Sequence, residues 1–221
     1  MSQKQIKSRT RVREHGEVFT SEREVKAMCD LAKDECERID SRILEPACGN
    51  GNFLAEILTR KLCTVSRCYS KSSDEWEKNS IVALSSIYGI DIMEDNTSEC
   101  RLRLFSIWQE KHEDAVGKDS TDGIHESAKY LLDTNILCGD ALTLLQSNGN
   151  PIVFAEWSLV NGFFIKRRDF ELATMLQVQE NGKQGDLFLS TDNYDEEIGA
   201  YIPNPMKEYK PVEYWRLQCL K

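Results

Sequence analysis

Apolar residues along the first two thirds of the chain switch between helical spacing and short solid runs. Each switch marks where one element ends and the next begins. Val25, Met28, Leu31, Ala32 and Ile39 recur at helical intervals behind Ser21 and Glu24, which stand at capping-box spacing, so the pattern predicts a helix over 22–39. The run "SRILEP" reads as a short buried strand. A glycine-containing turn then leads into a helix with Phe53, Leu54, Ile57, Leu58 and Leu62 on one side. The polar stretch "SRCYSKSSDEWEKN" reads as loop, with a helix near 81–86 behind it and a second strand in "SIYGIDI". Helical spacing returns over 96–111 through Cys100, Leu104, Phe105 and Trp108. "HEDAVGKDSTDG" reads as surface loop, and a short helix near 124–132 precedes a third strand in "NILCGDAL".

Three strands separated by helices predict an α/β fold on a parallel sheet with right-handed crossovers. Beyond Leu145 that rhythm stops. "SNGNPIVFAEWSLVNGFFIKRRDF" reads as one strand or a hairpin, "RRDFELATMLQVQ" as a helix, and the remainder is acidic and then proline-punctuated. The expected organisation is a core over 1–145 with an N-terminal helix, and a C-terminal extension over 146–221 open to a partner or DNA.

Composition narrows the class. At 221 residues, with 40% hydrophobic and 29% charged residues, the chain suits one sizeable core. No apolar run approaches the roughly 20 residues of a membrane span. The start, "MSQKQIKSRTRVREHGE", has no apolar segment behind its basic residues, so no secretory signal and a cytoplasmic location are expected. The eight cysteines form no CxxC pair and no Cys/His set at zinc spacing, which predicts reduced thiols and no metal. A net charge of -9 opposes nucleic acid over the surface as a whole, so DNA contact would be local or belong to another chain. "KQIKSRTRVR" and "IKRRD" are the local candidates, although such clusters more often form solvated faces. His15 has no assigned role.

The chemistry concentrates at "RILEPACGNGNFLAEIL". In a parallel sheet, ligands bind beyond the carboxyl ends of the strands. Gly49 and Gly51 would let backbone approach such a ligand, and the helix starting near Asn52 aims free N–H groups at it. A dinucleotide turn wants a third glycine where Leu54 stands, and there is no G-x-x-x-x-G-K-[ST], so NAD, FAD and nucleotide triphosphates are disfavoured.

"LEPACGNGNF" resembles the S-adenosyl-L-methionine (AdoMet) motif of adenine-specific DNA methyltransferases of restriction–modification systems, usually [DE]-P-A-C-G-[ST]-G-x-F. Asn50 departs from its Ser or Thr. The resemblance covers about 14–145 and implies a Rossmann-like methyltransferase sheet, expected here to be incomplete, with three clear parallel strands and an irregular C-terminal extension. It assigns Glu45, Pro46, Ala47, Cys48, Gly49, Asn50, Gly51, Asn52 and Phe53 to the AdoMet turn. Phe19, Thr20 and Ser21 in "GEVFTS" resemble the segment around the methionine end, and Asp91 and Ile92 in "YGIDI" the ribose acid and its apolar neighbour. Asp140 and Ala141 in "CGDAL" resemble the site of the adenine amine. A carboxylate suits hydroxyl or amine donors, and apolar side chains suit purine faces. Taken singly, each aspartate has a plainer alternative as a strand-end acid capping the next helix.

One family element is missing. The [DNS]-P-P-[YFW] loop that holds the flipped base has no match after Asp140, since "NPIV" at Asn150 and "NPMK" at Asn204 lack the second proline and the aromatic. No catalytic residue is therefore assigned, and no cysteine follows a proline as cytosine-ring methylation would need. Three readings stay open. In the first, this chain is the AdoMet half of a split methyltransferase, completed on DNA by a second subunit from a neighbouring gene, which would cover the open edge of the first strand. In the second it is self-contained, with Trp157 or Tyr209 as the stacking ring of a degenerate loop. In the third it is an inactive AdoMet-binding regulatory module.

Overall fold

A computed structural model of the chain describes residues 5–181, 194–195, 200–201 and 204–220. Helices α1 (Arg9–His15), α2 (Glu22–Leu31) and α3 (Lys33–Glu37) come first. Strand β1 (Ile43–Glu45) is followed by α4 (Asn52–Tyr69), α5 (Ser73–Ser85) and β2 (Ile87–Asp91). Helices α6 (Glu94–Ala115) and α7 (Ile124–Asn135) lead to β3 (Ile136–Asp140) and β4 (Leu145–Gln146). β1, β2 and β3 lie side by side and parallel, and β4 closes the far edge of β3 antiparallel. A parallel step needs a long crossover to return the chain to the same end, and the pairs α4–α5 and α6–α7 supply it. The carboxyl ends of all three strands therefore share one rim.

The rest of the chain builds a second, antiparallel layer. β5 (Val153–Val160) and β6 (Phe164–Glu171) pair along their whole length, and Asn161 and Gly162 turn the hairpin at φ 46° and 77°, the left-handed values such a turn requires. After α8 (Leu172–Asn181) and the two-residue strands β7 (Tyr194–Asp195) and β8 (Ala200–Tyr201), strands β9 (Lys207–Glu208) and β10 (Val212–Glu213) pair with β6. The C-terminal extension, expected to be irregular, is thus an antiparallel layer in its described part, and most of its acidic stretch lies outside the described residues. One buried cluster runs through both layers, from Leu54, Leu58 and Ile90 to Trp157, Tyr214 and Leu217.

Four expectations are corrected. The helix predicted over "RRDFELATMLQVQ" starts only at Leu172, because 167–171 form the end of β6. The helix predicted over 22–39 breaks at Ala32 (φ -118°, ψ 39°), which leaves Leu31 in solvent and buries Cys36 on a separate helix. The stretch read as loop is helical at both ends. α4 runs to Tyr69, and α5 starts at Ser73 behind Ser72, whose hydroxyl accepts from Glu75 N at 3.3 Å. The misreading comes from Glu77, a charged residue that can be fully buried because its Oε1 meets His112 Nε2 at 2.8 Å and accepts from Thr121 N at 3.0 Å. Lastly, α6 is longer than predicted, continuing to Ala115.

β1 pairs only with β2 among the described residues, and Leu44 on it is exposed. β5 faces this open edge without joining it. Arg42 and Glu156 bridge the gap at 2.8 Å, and Tyr88 OH donates to Ala155 O at 2.9 Å. Cavities of about 1050 Å³ and 270 Å³ flank the bridge, the smaller lined by Leu44, Tyr88, Phe154, Phe170 and Met175.

Candidate functional site

The strand register arranges the candidate acids. Glu45 pairs with Gly89 and Asp91 with Cys138, so Asp91 stands one strand over and two residues beyond Glu45, and Asp140 repeats that step. Side chains alternate with a period of two, so this offset puts all three carboxylates on one face at the strand ends. Each step is roughly 4.8 Å across and 6.6 Å along the sheet.

The glycine turn is held over the same rim. Cys48 N donates to Ile90 O and Gly49 N to the Asp91 Oδ2, each at 2.9 Å, and Gly51 N closes the turn on Cys48 O at 2.8 Å. Gly49 (φ 52°) and Gly51 (φ 84°) both have left-handed backbone. The first hydrogen bond of α4 runs from Ala55 N to Gly51 O at 2.8 Å, which leaves the N–H groups of Asn52, Phe53 and Leu54 outside the helix ladder. A Cβ on Gly49 would meet Cε1 of the Phe19 ring at 2.9 Å, and one on Gly51 would meet Cys100 Sγ at 2.7 Å. The protein's own side chains therefore require glycine at both positions, apart from any ligand.

Phe19 covers the turn, and its backbone N–H donates to Gln5 O at 2.8 Å. Thr20 is tied in through its carbonyl, which accepts from Asn52 Nδ2 at 2.9 Å, while Arg103 Nη1 donates to Asn52 Oδ1 at 2.5 Å. Ser21 forms the predicted capping box with Glu24. Pro46 and Ala47 are exposed, and Phe53 packs against the core. Burial raises the Glu45 carboxyl above its ordinary range, although Ala47 N donates to it at 3.3 Å. The Cys48 thiol is pushed strongly upward, first by its hydrogen bond with the Cys100 thiol and then by burial, so it is no nucleophile.

Asp91 is the most engaged of the three acids. Its Oδ1 accepts from Met93 N at 2.9 Å and Asn96 Nδ2 at 3.1 Å, and its Oδ2 from Gly49 N. A carboxylate offers about four acceptor positions, so one on Oδ2 is left for a ligand. Asp140 Oδ1 accepts from Leu142 N at 2.8 Å, the local turn contact that an aspartate makes in this position with or without a ligand. Ile92, half exposed, and Asp140 line an open cavity of about 330 Å³ together with Thr143, Gln146 and Ser147, while Ala141 packs inward. Asn50, in the turn, carries a buried Oδ1 without a partner.

The rim is thus rich in acceptors: Glu45, Asn50 Oδ1, the open position of Asp91, and Asp140. Such a set fits a ligand that brings several hydrogens, and AdoMet brings an ammonium, two hydroxyls and an amine. Among the described residues no group of three or more His, Cys, Asp or Glu gathers as a metal site, and the eight cysteines are free.

The two ring candidates for base stacking are committed elsewhere. Trp157 is buried, with its Nε1 donating to Asn135 Oδ1 at 2.9 Å. Tyr209 donates to Asp169 Oδ2 at 3.0 Å, and the Arg167 guanidinium and Lys207 Nζ lie 4.7 Å and 4.3 Å from its ring centroid. Asn150 sits in the turn after β4, its carbonyl accepting from Gln146 N at 2.8 Å. The basic clusters are largely neutralised too: Lys7 and Arg11 pair with Asp95, Lys166 with Glu208, Arg167 with Asp169 and Arg168 with Glu156. Sequence reading missed Asn96 and Arg103, which contact the assigned Asp91 and Asn52, and Glu17, which contacts Asn96. No spacing rule reports Glu17 and Arg103, because their contacts join residues 79 and 51 positions apart, whereas Asn96 stands only five residues from Asp91. Comparison with family models, with curated proteins and with solved structures finds no match to this chain.

Proposed function

We propose that this chain is the AdoMet-binding component of an adenine-N6 DNA methyltransferase of a restriction–modification or related defence system. The reading takes the parallel sheet as a Rossmann-like methyltransferase sheet, and a second subunit as the source of the N-P-P-aromatic loop. The observation that carries it is the stair of Glu45, Asp91 and Asp140 on one face of that sheet, with the glycine turn hydrogen-bonded to the middle acid.

When bound, AdoMet supplies the electrophilic methyl group that the target amine takes up. The residues of this chain would do the holding. Asp91 accepts from ribose hydroxyls through its open position, Asp140 accepts the adenine amine, and Ile92 covers a purine face. The N–H groups at the start of α4 are free of the helix ladder for the polar methionine end, with the unpartnered Asn50 Oδ1 buried in the turn beside them. Fixing the donor in this way turns methyl transfer into a problem of aligning the base, and that alignment falls to the partner.

Two further features support a partner. The edge of β1 is unpaired among the described residues, and an apolar cavity runs beside it. Trp157 and Tyr209 are engaged within this chain, which takes the stacking ring away from the self-contained alternative.

The test combines a melt with labelled methyl transfer. AdoMet should raise the melting temperature of the chain, and Asp140→Asn should weaken binding about tenfold while keeping its Oδ1 contact with Leu142 N. Label should reach mixed-sequence DNA only when the product of the neighbouring gene is added. Transfer by the chain alone would overturn the split arrangement, and the lack of any AdoMet effect, alone or paired, would overturn the reading of the site.

A further inference from the structure

Asp91 is the end of a chain of hydrogen bonds that begins in the N-terminal arm, residues 5–17. Asn96, almost fully buried in the first turn of α6, spends its amide hydrogens on two carboxylates: Asp91 Oδ1 at 3.1 Å and Glu17 Oε1 at 2.8 Å. Its own Oδ1 is buried without a partner, so the amide is oriented entirely by the acids it bridges. Glu17 in turn is held by Arg11, whose Nη2 donates to Oε1 at 2.8 Å and whose Nε lies 2.7 Å from Oε2. The same guanidinium forks onto Asp95, donating from Nη1 at 2.7 Å and Nη2 at 3.0 Å, and Lys7 adds bonds to Asp95 at 2.9 Å and Glu99 at 2.6 Å. The arm has a second hold on the site, because Gln5 O accepts from the N–H of Phe19, whose ring lies on Gly49.

Few contacts of this kind serve packing alone. Placing two partly buried carboxylates beside one amide is costly unless each hydrogen is directed, and here the direction converges on the carboxylate that also receives Gly49 N. With Oδ1 filled by Met93 N and Asn96, the single open position on Oδ2 has a fixed bearing. Loosening Asn96 would let the carboxylate rotate and lose that bearing.

We propose that Asn96 and Glu17 are positioning residues for Asp91, and that Arg11 makes docking of the N-terminal arm and binding of a ribose-bearing ligand at the glycine turn mutually dependent. This rests on the AdoMet reading above. Coupling of this sort is reciprocal: whatever factor a docked arm adds to ligand affinity, the ligand adds to arm docking.

Calorimetric titration of the whole chain with AdoMet, and with an analogue lacking both ribose hydroxyls, tests the proposal. Asn96→Ala and Arg11→Gln should each weaken AdoMet about tenfold, the size expected for a hydrogen bond to a charged group, and leave the analogue's affinity unchanged. Arg11 lies at the surface end of the chain of bonds, so its variant gives the answer even where loss of the buried Asn96 impairs folding. In the parent protein, AdoMet should slow tryptic cleavage after the exposed Arg13, and the analogue should not. Equal weakening of both ligands, or of neither, would overturn the positioning role while leaving AdoMet binding intact. A parent chain that binds no AdoMet would overturn the site reading itself, and the coupling with it.

Discussion

Gly51 is the residue at which local backbone and packing leave least room for change. Its φ of 84° disfavours any L side chain, and a Cβ there would press on Cys100 Sγ at 2.7 Å, with the Cys100 backbone Cα only 3.5 Å away. Gly149 offers a contrast, since its φ of 81° is as strained for alanine but nothing lies within 4 Å. Gly149→Ala should therefore cost about 1 kcal/mol and Gly51→Ala about 2–3 kcal/mol, the excess being the collision. Denaturant melts of the two variants measure that difference directly. Equal losses would mean that Cys100 moves aside freely, and the turn would then be looser than its hydrogen bonds to Ile90 and Asp91 imply.

Among the elements, α4 is bound to the start of the sheet by a buried cation. Lys61 Nζ donates to Ser41 O at 2.5 Å, Ser86 Oγ at 2.6 Å and Ile39 O at 3.3 Å, so one amine joins α4 to the segments that enter β1 and β2. Burial lowers its pKa to about 8, against an ordinary value of 10.5. The unfolded chain then binds more protons than the folded one between those two values, so this group makes stability rise as pH increases from about 8 to 10.5. Parent minus Lys61→Met stability should show that rise in chemical melts, and a difference flat across the window would mean that the three oxygens keep the amine charged. Elements whose apolar residues sit in one local run were legible in the sequence: "SIYGIDI" and "NILCGDAL" became β2 and β3, and Asp91 and Asp140 end them. Elements defined by tertiary pairing were not. α5 carries the buried Glu77 that His112 and Thr121 N, 35 and 44 residues on, make tolerable, and the N-terminal arm became a helix clamped by Asp95, 84 residues from Arg11. The pairing of Asn96 with Glu17, 79 residues apart, stayed invisible for the same reason. Their chemistry exists only once α6 and the arm meet.

At the scale of the whole molecule, the expected division into 1–145 and 146–221 meets a core that crosses it. Trp157 from β5 donates to Asn135 of α7, Tyr130 OH donates to Leu220 O at 2.5 Å, and Leu217 N donates to Ser127 Oγ at 3.0 Å. Tyr214, almost wholly buried, places its hydroxyl 3.4 Å from Glu77 Oε2 on α5. Contacts that span the boundary and are themselves buried should make the two parts unfold together. Leu217→Ala in the extension and Leu58→Ala in α4 each remove a fully buried side chain and should cost about 2–5 kcal/mol. Each should shift one single transition, seen at the same denaturant concentration by far-ultraviolet dichroism and by tryptophan fluorescence. An early fluorescence change in Leu217→Ala with the helical signal intact would instead mark the extension as a separately melting part. Cooperative loss has a consequence for the site. The hairpin that faces the open edge of β1 would then be as rigid as the sheet that carries the three acids, and a partner strand would meet a preformed cleft bridged by Arg42 and Glu156.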